Sequence, residues 1–232
     1  MNQTLILFDI DATLLSTRGA GMRAMEAAGK ALFGESCRAD GVQFAGRLDP
    51  LIMRDMLSNA GLPASRENLE AFREAYVRNM EELFRNPGLG VLMPGIQELM
   101  TRLDALSGVT LGLLTGNFEK TGLLKIRSAG LTTDRFEVAA WGDDSAHDPP
   151  ERKHLPPIAV ERYRKKKGGD PRRVVIVGDT PHDIACARAH GHVAFGVATG
   201  KFTSAEVRAS GADHVMENLS FTEEAAQRMV HG

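Results

Sequence analysis

The chain has 232 residues, of which 43% are hydrophobic and 25% charged, and this composition excludes a disordered chain. Its length allows one large domain or two small ones, and its formal net charge of -2 gives no bias towards nucleic acid or an anionic membrane. No apolar run approaches the roughly 20 residues that span a bilayer, and the first residues do not follow the pattern of a signal peptide.

The first predicted element is a buried strand over residues 5–8, which are all large and apolar. Two carboxylates, Asp9 and Asp11, follow it directly. Burying a carboxylate is costly unless it is paired or bound to a cation. Two residues apart, both side chains point to the same side if the strand geometry continues. The pair therefore indicates a functional site at the end of this strand.

The next block, residues 15–91, is predicted to be entirely helical. An amphipathic pattern predicts a helix over residues 20–34. Asp49 is a plausible N-cap, with Pro50 at the first position of a second helix that ends near residue 59. A third helix is predicted from Ser65 through Phe84, and the sequence Asn86-Pro87-Gly88 ends it.

From Met93 onward, predicted helices and strands alternate, which indicates a parallel sheet with right-handed crossovers. The predicted fold class is α/β: a Rossmann-like parallel sheet core, residues 1–14 and 92–232, with an inserted α-helical cap domain, residues 15–91. The predicted helices cover residues 94–106, 119–129, 155–166 and 181–190. The predicted strands cover residues 109–114, 136–141, 174–178, 193–198 and 213–216.

Polar residues follow three of these strands at the point where each ends: Asp9 and Asp11, then Thr115, then Asp179. In open parallel sheets the ligand crevice lies beyond the carboxyl ends of the strands. We therefore expect these side chains to meet in one site.

The three motifs resemble those of the haloacid dehalogenase superfamily, and the resemblance covers essentially the whole chain. The motifs are Asp-x-Asp-x-Thr from Asp9, Thr-Gly-Asn from Thr115, and Gly-Asp-Thr-x-x-Asp from Gly178 to Asp183. One departure is Ala12, where the family usually carries glycine. Alanine fits a tight turn at that position only if its φ is negative.

The resemblance implies a role for each motif residue in phosphoryl transfer with Mg²⁺, a hard cation suited to carboxylate oxygens. Asp9 is the expected nucleophile and a metal ligand. Asp11 is expected to give its backbone carbonyl to the metal and its side chain to proton transfer. Asp179 is expected as the third protein ligand and Asp183 as the residue that orients metal-bound water. Phosphoryl oxygens are expected to bind Thr115, Gly116 and Asn117.

The family's core cation, usually a lysine before a helix, has two candidates here, Arg152 and Lys153. Spacing alone does not separate them. Arg152 is favoured, because Arg-x-x-Leu-x-Pro resembles a branch of the family that uses arginine, and a guanidinium could bridge Asp9 and phosphate.

Substrate choice is expected to depend on the cap, where Arg18, Gly19, Gly21 and the loop at residues 44–49 are the candidates. Arg47 could reach an anionic leaving group, or it could equally pair with Asp49.

These features predict a magnesium-dependent phosphatase of a small phosphomonoester that forms an aspartyl-phosphate. The expected substrate is a small phosphorylated metabolite, and the protein is expected to be a cytoplasmic monomer or homodimer. Cys37 and Cys186 lack metal-ligand spacing and fit a reducing compartment.

Other functions are alternatives to this prediction. A 2-haloacid dehalogenase would not need Asp11, and a phosphonate hydrolase would need a cap lysine other than the mid-helix Lys30. A sugar phosphomutase and a non-catalytic binding protein remain as alternatives.

Overall fold

A computed structural model describes residues 3–85 and 88–232, which include a six-stranded parallel sheet in the order β5-β4-β1-β6-β7-β8. The first strand of the chain therefore lies at the centre of the sheet, between β4 and β6. A separate two-stranded sheet joins β2 to β3. The strands are β1 (Thr4–Phe8), β2 (Leu15–Ser16), β3 (Val91–Leu92), β4 (Val109–Leu114), β5 (Phe136–Ala140), β6 (Arg173–Gly178), β7 (Val193–Val197) and β8 (His214–Met216).

Helices cover both faces of the large sheet, so its strands are buried on each side, as parallel strands usually are. Ile6 and Phe8 of β1 face one hydrophobic core, and Leu5 and Leu7 face the other. The helices are α1 (Ala20–Phe33), α2 (Asp49–Asn59), α3 (Arg66–Leu83), α4 (Ile96–Asp104), α5 (Glu119–Ser128), α6 (Leu155–Lys167), α7 (Pro181–Arg188), α8 (Ser204–Ala209) and α9 (Thr222–Val230). Side chains of α4, α5 and α9 pack in the first core, and those of α6, α7 and α8 in the second. The α/β fold class and parallel sheet predicted from the sequence are confirmed.

Helices α1, α2 and α3 share a third hydrophobic core. Its largest fully buried side chains are Phe72 and Tyr76 of α3. Phe118, at the start of α5, packs into this core as well and so joins the helical block to the sheet unit. The block therefore sits directly over the residues that follow β4.

The prediction that residues 15–91 are entirely helical is wrong at both ends of the block. Leu15–Ser16 and Val91–Leu92 pair as antiparallel strands. The Met93 backbone N–H also donates to the Leu14 carbonyl. This pairing joins the segment that enters the helical block to the segment that leaves it. The sequence did not predict these strands, because two residues are too few to show an alternating pattern. Of the predicted helix break at Asn86-Pro87-Gly88, the first two residues lie outside the described part of the chain.

The remaining predicted elements agree with the structure to within a few residues, and the strand over residues 109–114 agrees at both ends. Two C-terminal helices, α8 and α9, were not predicted. Across residues 3–85 and 88–232, none of the helices combines the length and the apolar character that crossing a bilayer requires.

Candidate active site

Three strands end at the same edge of the sheet, and each is followed by one of the sequence-predicted polar residues. Phe8 lies beside Leu113 and Val177 in register, so the chain leaves β1, β4 and β6 at nearly the same level. Asp9, Thr115 and Asp179 follow these strands and line one cavity of about 290 Å³. The sheet register therefore brings the three motifs together.

A cluster of three buried carboxylates lies at this edge of the sheet: Asp9 and Asp179 line the cavity, and the fully buried Asp183 lies beside them. One oxygen each from Asp9, Asp179 and Asp183 lies within 4.8 Å of the others. Burial raises the pKa of Asp9 to about 6, against the opposing charge of Arg152. Burial also raises the pKa of Asp179 to about 8, and the neighbouring carboxylates Asp183 and Asp9 add to this rise. The cluster therefore carries more negative charge than its surroundings neutralise.

Within the described residues, Arg152 is the cation that pairs with this cluster. Its Nη2 lies 3.0 Å from Asp9 Oδ1 and 2.6 Å from Asp183 Oδ1, and all three side chains are buried. Burial disfavours the charged guanidinium, but the Asp183 and Asp9 carboxylates outweigh that effect and raise the pKa of Arg152. Arg152 also donates to the Gly46 carbonyl at 3.2 Å, so it links the cluster to the helical block.

Lys153 does not reach the cluster. A short 3-10 turn, Arg152–His154, sends consecutive side chains in different directions. The Lys153 side chain is half-exposed, and its Nζ pairs with Glu151 at 2.7 Å. Of the two candidate cations, the structure thus brings Arg152 into the cavity and leaves Lys153 outside.

Asp183 is held in place by the start of α7. Thr180 and Asp183 form a capping box, in which the Thr180 backbone N–H and hydroxyl donate to Asp183 Oδ2 at 3.1 and 2.7 Å. Its other oxygen, Oδ1, is thereby directed towards Arg152. Asp179 is confined by Gly200, where even a Cβ atom would overlap the Asp179 carboxylate.

The side chain of Asp11 belongs to a second polar network on the wall of the cavity. Its Oδ2 accepts hydrogen bonds from Lys125 Nζ at 2.6 Å and from Asn117 Nδ2 at 2.8 Å. Asn117 Nδ2 also donates to Thr115 Oγ1 at 2.8 Å. Sequence reasoning missed Lys125, although it lies on the buried face of α5 with Thr121, Gly122 and Ile126. The signal that could have identified Lys125 is a lysine at a helical position that falls on the buried face of α5.

Ala12 adopts a left-handed backbone conformation, with φ of 58°. The expectation that alanine requires a negative φ here is therefore wrong. The turn is held on both sides, because the Ala12 N–H donates to the Leu15 carbonyl at 2.8 Å and the Ala12 carbonyl accepts from Thr199 Oγ1 at 2.5 Å. A left-handed alanine costs roughly 1–2 kcal/mol relative to its preferred conformations.

We expect Ala12→Gly to raise the free energy of unfolding by about 0.5–1 kcal/mol, because relief of the left-handed strain exceeds the added entropy of glycine in the unfolded chain. Urea unfolding of both proteins measures the change. Ala27→Gly, at an exposed position in the middle of α1, is the matched control and should lower stability by about 0.5–1 kcal/mol. A loss of stability in Ala12→Gly would contradict the strain.

The loop at residues 44–49 enters the cavity from the helical block. Arg47 pairs with Asp55 at 2.6 Å rather than with Asp49. Asp49 is used elsewhere: its N–H donates to the Gly116 carbonyl at 2.8 Å, and its Oδ2 accepts from the Phe118 N–H at 3.1 Å. Hydrogen bonds thus attach the loop to the residues that follow β4, and Arg47 is among the residues that line the cavity.

The structure places most of the predicted substrate-binding residues of the cap in the cavity wall but leaves Arg18 outside it. Gly19, Gly21 and Arg47 line the cavity, together with Gly116 and Asn117. Arg18 is exposed and is not part of the cavity wall; its carbonyl accepts a hydrogen bond from Arg23. Its left-handed backbone, with φ of 51°, turns the chain into α1. The structure therefore does not bring Arg18 to the site.

The carboxylate cluster suits a hard divalent cation. Three buried carboxylates face one guanidinium, and burial raises the pKa of both Asp9 and Asp179. A divalent cation would neutralise this excess negative charge and favour the ionised carboxylates. All three donors are carboxylate oxygens, which Mg²⁺ prefers over nitrogen or sulfur ligands.

A family model described as haloacid dehalogenase-like hydrolase matches residues 6–197 of this chain. The matched region contains the strand-end residues of the cavity, the carboxylate cluster and Arg152. It also contains the whole helical block, so the match extends well beyond isolated motifs.

Curated relatives carry phosphatase names. The chain is 31% identical over 163 residues to a phosphoglycolate phosphatase from Mesorhizobium japonicum, covering 70% of this chain and 66% of that enzyme. It is 26% identical to the pyrophosphatase PpaX from Bacillus pumilus, covering 83% and 82% of the two chains. A hydrolase structure from Pseudomonas syringae shares the fold with a TM-score of 0.70 at 20% identity, covering 97% of this chain and 99% of that one.

Proposed function

This chain belongs to the haloacid dehalogenase-like hydrolase family and is a phosphatase, and we propose that it uses Mg²⁺ to hydrolyse a small phosphomonoester through an aspartyl-phosphate. The observation that carries the proposal is the buried cluster of Asp9, Asp179 and Asp183 beside Arg152. A nucleophilic carboxylate and a phosphoryl group repel each other, and the cluster provides the ligands for a cation between them.

In this proposal Asp9, Asp179 and the Asp11 backbone carbonyl would hold the metal, and Asp183 would orient its bound water. When bound, Mg²⁺ neutralises charge on the nucleophile and on the phosphoryl group. Arg152 orients the Asp9 carboxylate, to which it is already paired at 3.0 Å. Lys153 is left without a catalytic role, because its side chain faces away from the cavity.

The reaction proceeds in two steps. The Asp9 carboxylate forms a bond to phosphorus while the ester P–O bond breaks, and the leaving oxygen takes a proton from the Asp11 carboxyl. Asp11 then removes a proton from the water that displaces Asp9 from phosphorus. General acid–base catalysis of this kind contributes about 10²–10⁴-fold in rate.

Thr115, Gly116 and Asn117 are proposed to bind the phosphoryl oxygens. Thr115 Oγ1 accepts a hydrogen bond from Asn117 Nδ2, so its own proton is free to be donated into the cavity. At Gly116 a Cβ atom would overlap the Arg47 carbonyl, so only glycine lets the loop at residues 44–49 approach this closely.

The proposed substrate is a small phosphorylated metabolite. The cavity has a volume of about 290 Å³, and residues of the helical block, including Gly21 and Met25, line part of it. We propose that residues 15–91 act as a cap domain over a core of residues 1–14 and 92–232, and that Arg47 contacts the leaving group. The phosphoglycolate phosphatase relative supports a substrate of this size.

The cytoplasmic location and the monomeric or homodimeric state stay predictions. The buried free thiols of Cys37 and Cys186 support the cytoplasmic location.

We expect EDTA to abolish hydrolysis across a panel of small phosphomonoesters and Mg²⁺ to restore it. Ca²⁺ should restore it poorly, because its longer and looser coordination misplaces the nucleophile. Mg²⁺ should also raise the unfolding temperature, because it binds the folded state only, and Asp179→Asn should weaken this effect. Undiminished rates in thoroughly chelated buffer would instead indicate the metal-free chemistry of a dehalogenase.

A further inference from the structure

Lys125 is a buried lysine with no place in the proposed reaction so far. Its side chain is 5% exposed, while that of its ion-pair partner Asp11 is 46% exposed. Removing an ammonium from water is unfavourable unless charge and hydrogen bonds compensate. Compensation comes from two cavity residues, since Nζ lies 2.6 Å from Asp11 Oδ2 and 2.6 Å from Asn117 Oδ1.

The two bonds of Lys125 fix the orientation of both partners. Asn117 Oδ1 accepts from Lys125, which fixes the orientation of the amide, and Nδ2 donates to Asp11 Oδ2 and to Thr115 Oγ1. Asp11 Oδ2 consequently accepts two hydrogen bonds. Its second oxygen, Oδ1, is the one left to carry a transferable proton.

Lys125 also lies where the helical block meets the sheet unit. A Cβ atom built on Gly21 of α1 would be 3.3 Å from Lys125 Nζ and 3.4 Å from the Tyr76 hydroxyl of α3. The ammonium is therefore enclosed by α1, α3 and α5 and has little room to leave Asp11. This enclosure distinguishes it from a surface lysine, whose ion pair contributes little to stability.

We propose that Lys125 is a positioning residue for proton transfer, which holds the Asp11 carboxyl so that Oδ1 faces the leaving oxygen. The proposal rests on the proposed function, in which Asp11 protonates the leaving group. Lys125 itself touches no reacting atom. Through Asn117 it also sets the direction of the Thr115 hydroxyl, so it joins the proton-transfer residue to the phosphoryl-binding residue.

The test uses the dependence of the rate on the leaving group. A poor leaving group needs its proton in the transition state, whereas a good one departs without it. For Lys125→Met we expect kcat/KM to fall by about 10²-fold with phenyl phosphate and by less than about 3-fold with 2,4-dinitrophenyl phosphate, both in Mg²⁺. Lys120→Met, an exposed lysine on the same helix, is the matched control and should leave both rates unchanged.

Several outcomes would overturn the proposal. An equal loss with both esters would mean that Lys125 is merely structural, and no loss would mean that Asp11 needs no positioning. Lys125→Gln, which keeps one donor for Asp11, should show a smaller leaving-group dependence, and it replaces Lys125→Met if that variant does not fold.

Asp11→Asn, measured in parallel, separates this inference from the proposed function. If Asp11→Asn shows the leaving-group dependence and Lys125→Met does not, only the positioning role fails. If Asp11→Asn loses activity equally with both esters, the proton-transfer role of Asp11 fails and the positioning role fails with it.

Discussion

Asp9→Asn is expected to lower kcat for a generic phosphomonoester by at least about 10³-fold while the chain stays folded. The amide is nearly isosteric with the carboxylate, so packing at the end of β1 is preserved. It is neither a competent nucleophile nor a good ligand for Mg²⁺, so two functions are lost together. Steady-state hydrolysis of a small phosphomonoester in Mg²⁺ measures the effect.

Although Asp9→Asn is expected to lower activity, it is not expected to lower stability. Burial raises the pKa of Asp9 to about 6, above the 3.8 of the unfolded chain. Stability is therefore lost as pH rises between these values, and at pH 7 the ionised carboxylate destabilises the metal-free fold. An asparagine cannot ionise, so Asp9→Asn should unfold at an equal or higher temperature in chelated buffer at pH 7.

Asp134→Asn, an exposed carboxylate far from the cavity, is the control and should leave activity and stability unchanged. Retention of more than a tenth of the wild-type rate by Asp9→Asn would exclude Asp9 as the nucleophile. A variant that unfolds at a clearly lower temperature would show that the Asp9–Arg152 pair outweighs the burial of charge.

The meeting of Asp9, Thr115 and Asp179 could be predicted because it depends on two general rules. Short apolar runs that end in a polar residue mark buried strands. Parallel strands place their carboxyl ends at one edge of the sheet. Neither rule says which strands are neighbours; the three side chains form one site because β1 lies between β4 and β6.

Lys125 could not be predicted by these rules, since its partner Asp11 is 114 positions away. A lysine within a helix is ordinarily assigned to the solvent face, and only the packing of α5 under α1 and α3 buries it. The choice between Arg152 and Lys153 could not be predicted either, because it also depends on three-dimensional packing. The two are adjacent in sequence, and the direction of one short 3-10 turn decides which side chain reaches Asp9.

The left-handed conformation of Ala12 was missed for a different reason. Alanine has no intrinsic preference for that conformation, and it is imposed by bonds to Leu15 and to Thr199, which is 187 positions away. Local sequence therefore predicts a tight turn here but not its backbone hand. Strain of this kind is often found at functional sites, where the surrounding structure holds it in place.

Arg152→Met should produce the second large effect, a fall in kcat/KM of at least about 10²-fold for every phosphomonoester, together with a loss of stability. One guanidinium lies against two buried carboxylates, at 3.0 Å from Asp9 and 2.6 Å from Asp183. Removing one partner of a buried ion pair costs about 3–5 kcal/mol, because the remaining charge is left unpaired. Chemical unfolding in chelated buffer measures that cost.

Mg²⁺ separates the two consequences of this change. It can neutralise Asp9 and Asp183 in place of the lost guanidinium, so it should stabilise Arg152→Met more than it stabilises the wild type. It cannot restore the orientation of Asp9, so the catalytic loss should persist in saturating Mg²⁺. Arg152→Lys keeps the positive charge but loses the planar guanidinium, so its activity should lie between those of the wild type and Arg152→Met.

Lys153→Met is the matched control for Arg152→Met, because the two positions are adjacent and Lys153 pairs only with the exposed Glu151 among the described residues. An exposed pair of this kind contributes about 0–1 kcal/mol, so activity and stability should be nearly unchanged. A large catalytic loss in Lys153→Met with normal rates in Arg152→Met would move the core cation by one residue. Such a result would require the 3-10 turn at residues 152–154 to rotate when substrate and Mg²⁺ bind, since in this structure Arg152 alone of the two is buried against Asp9.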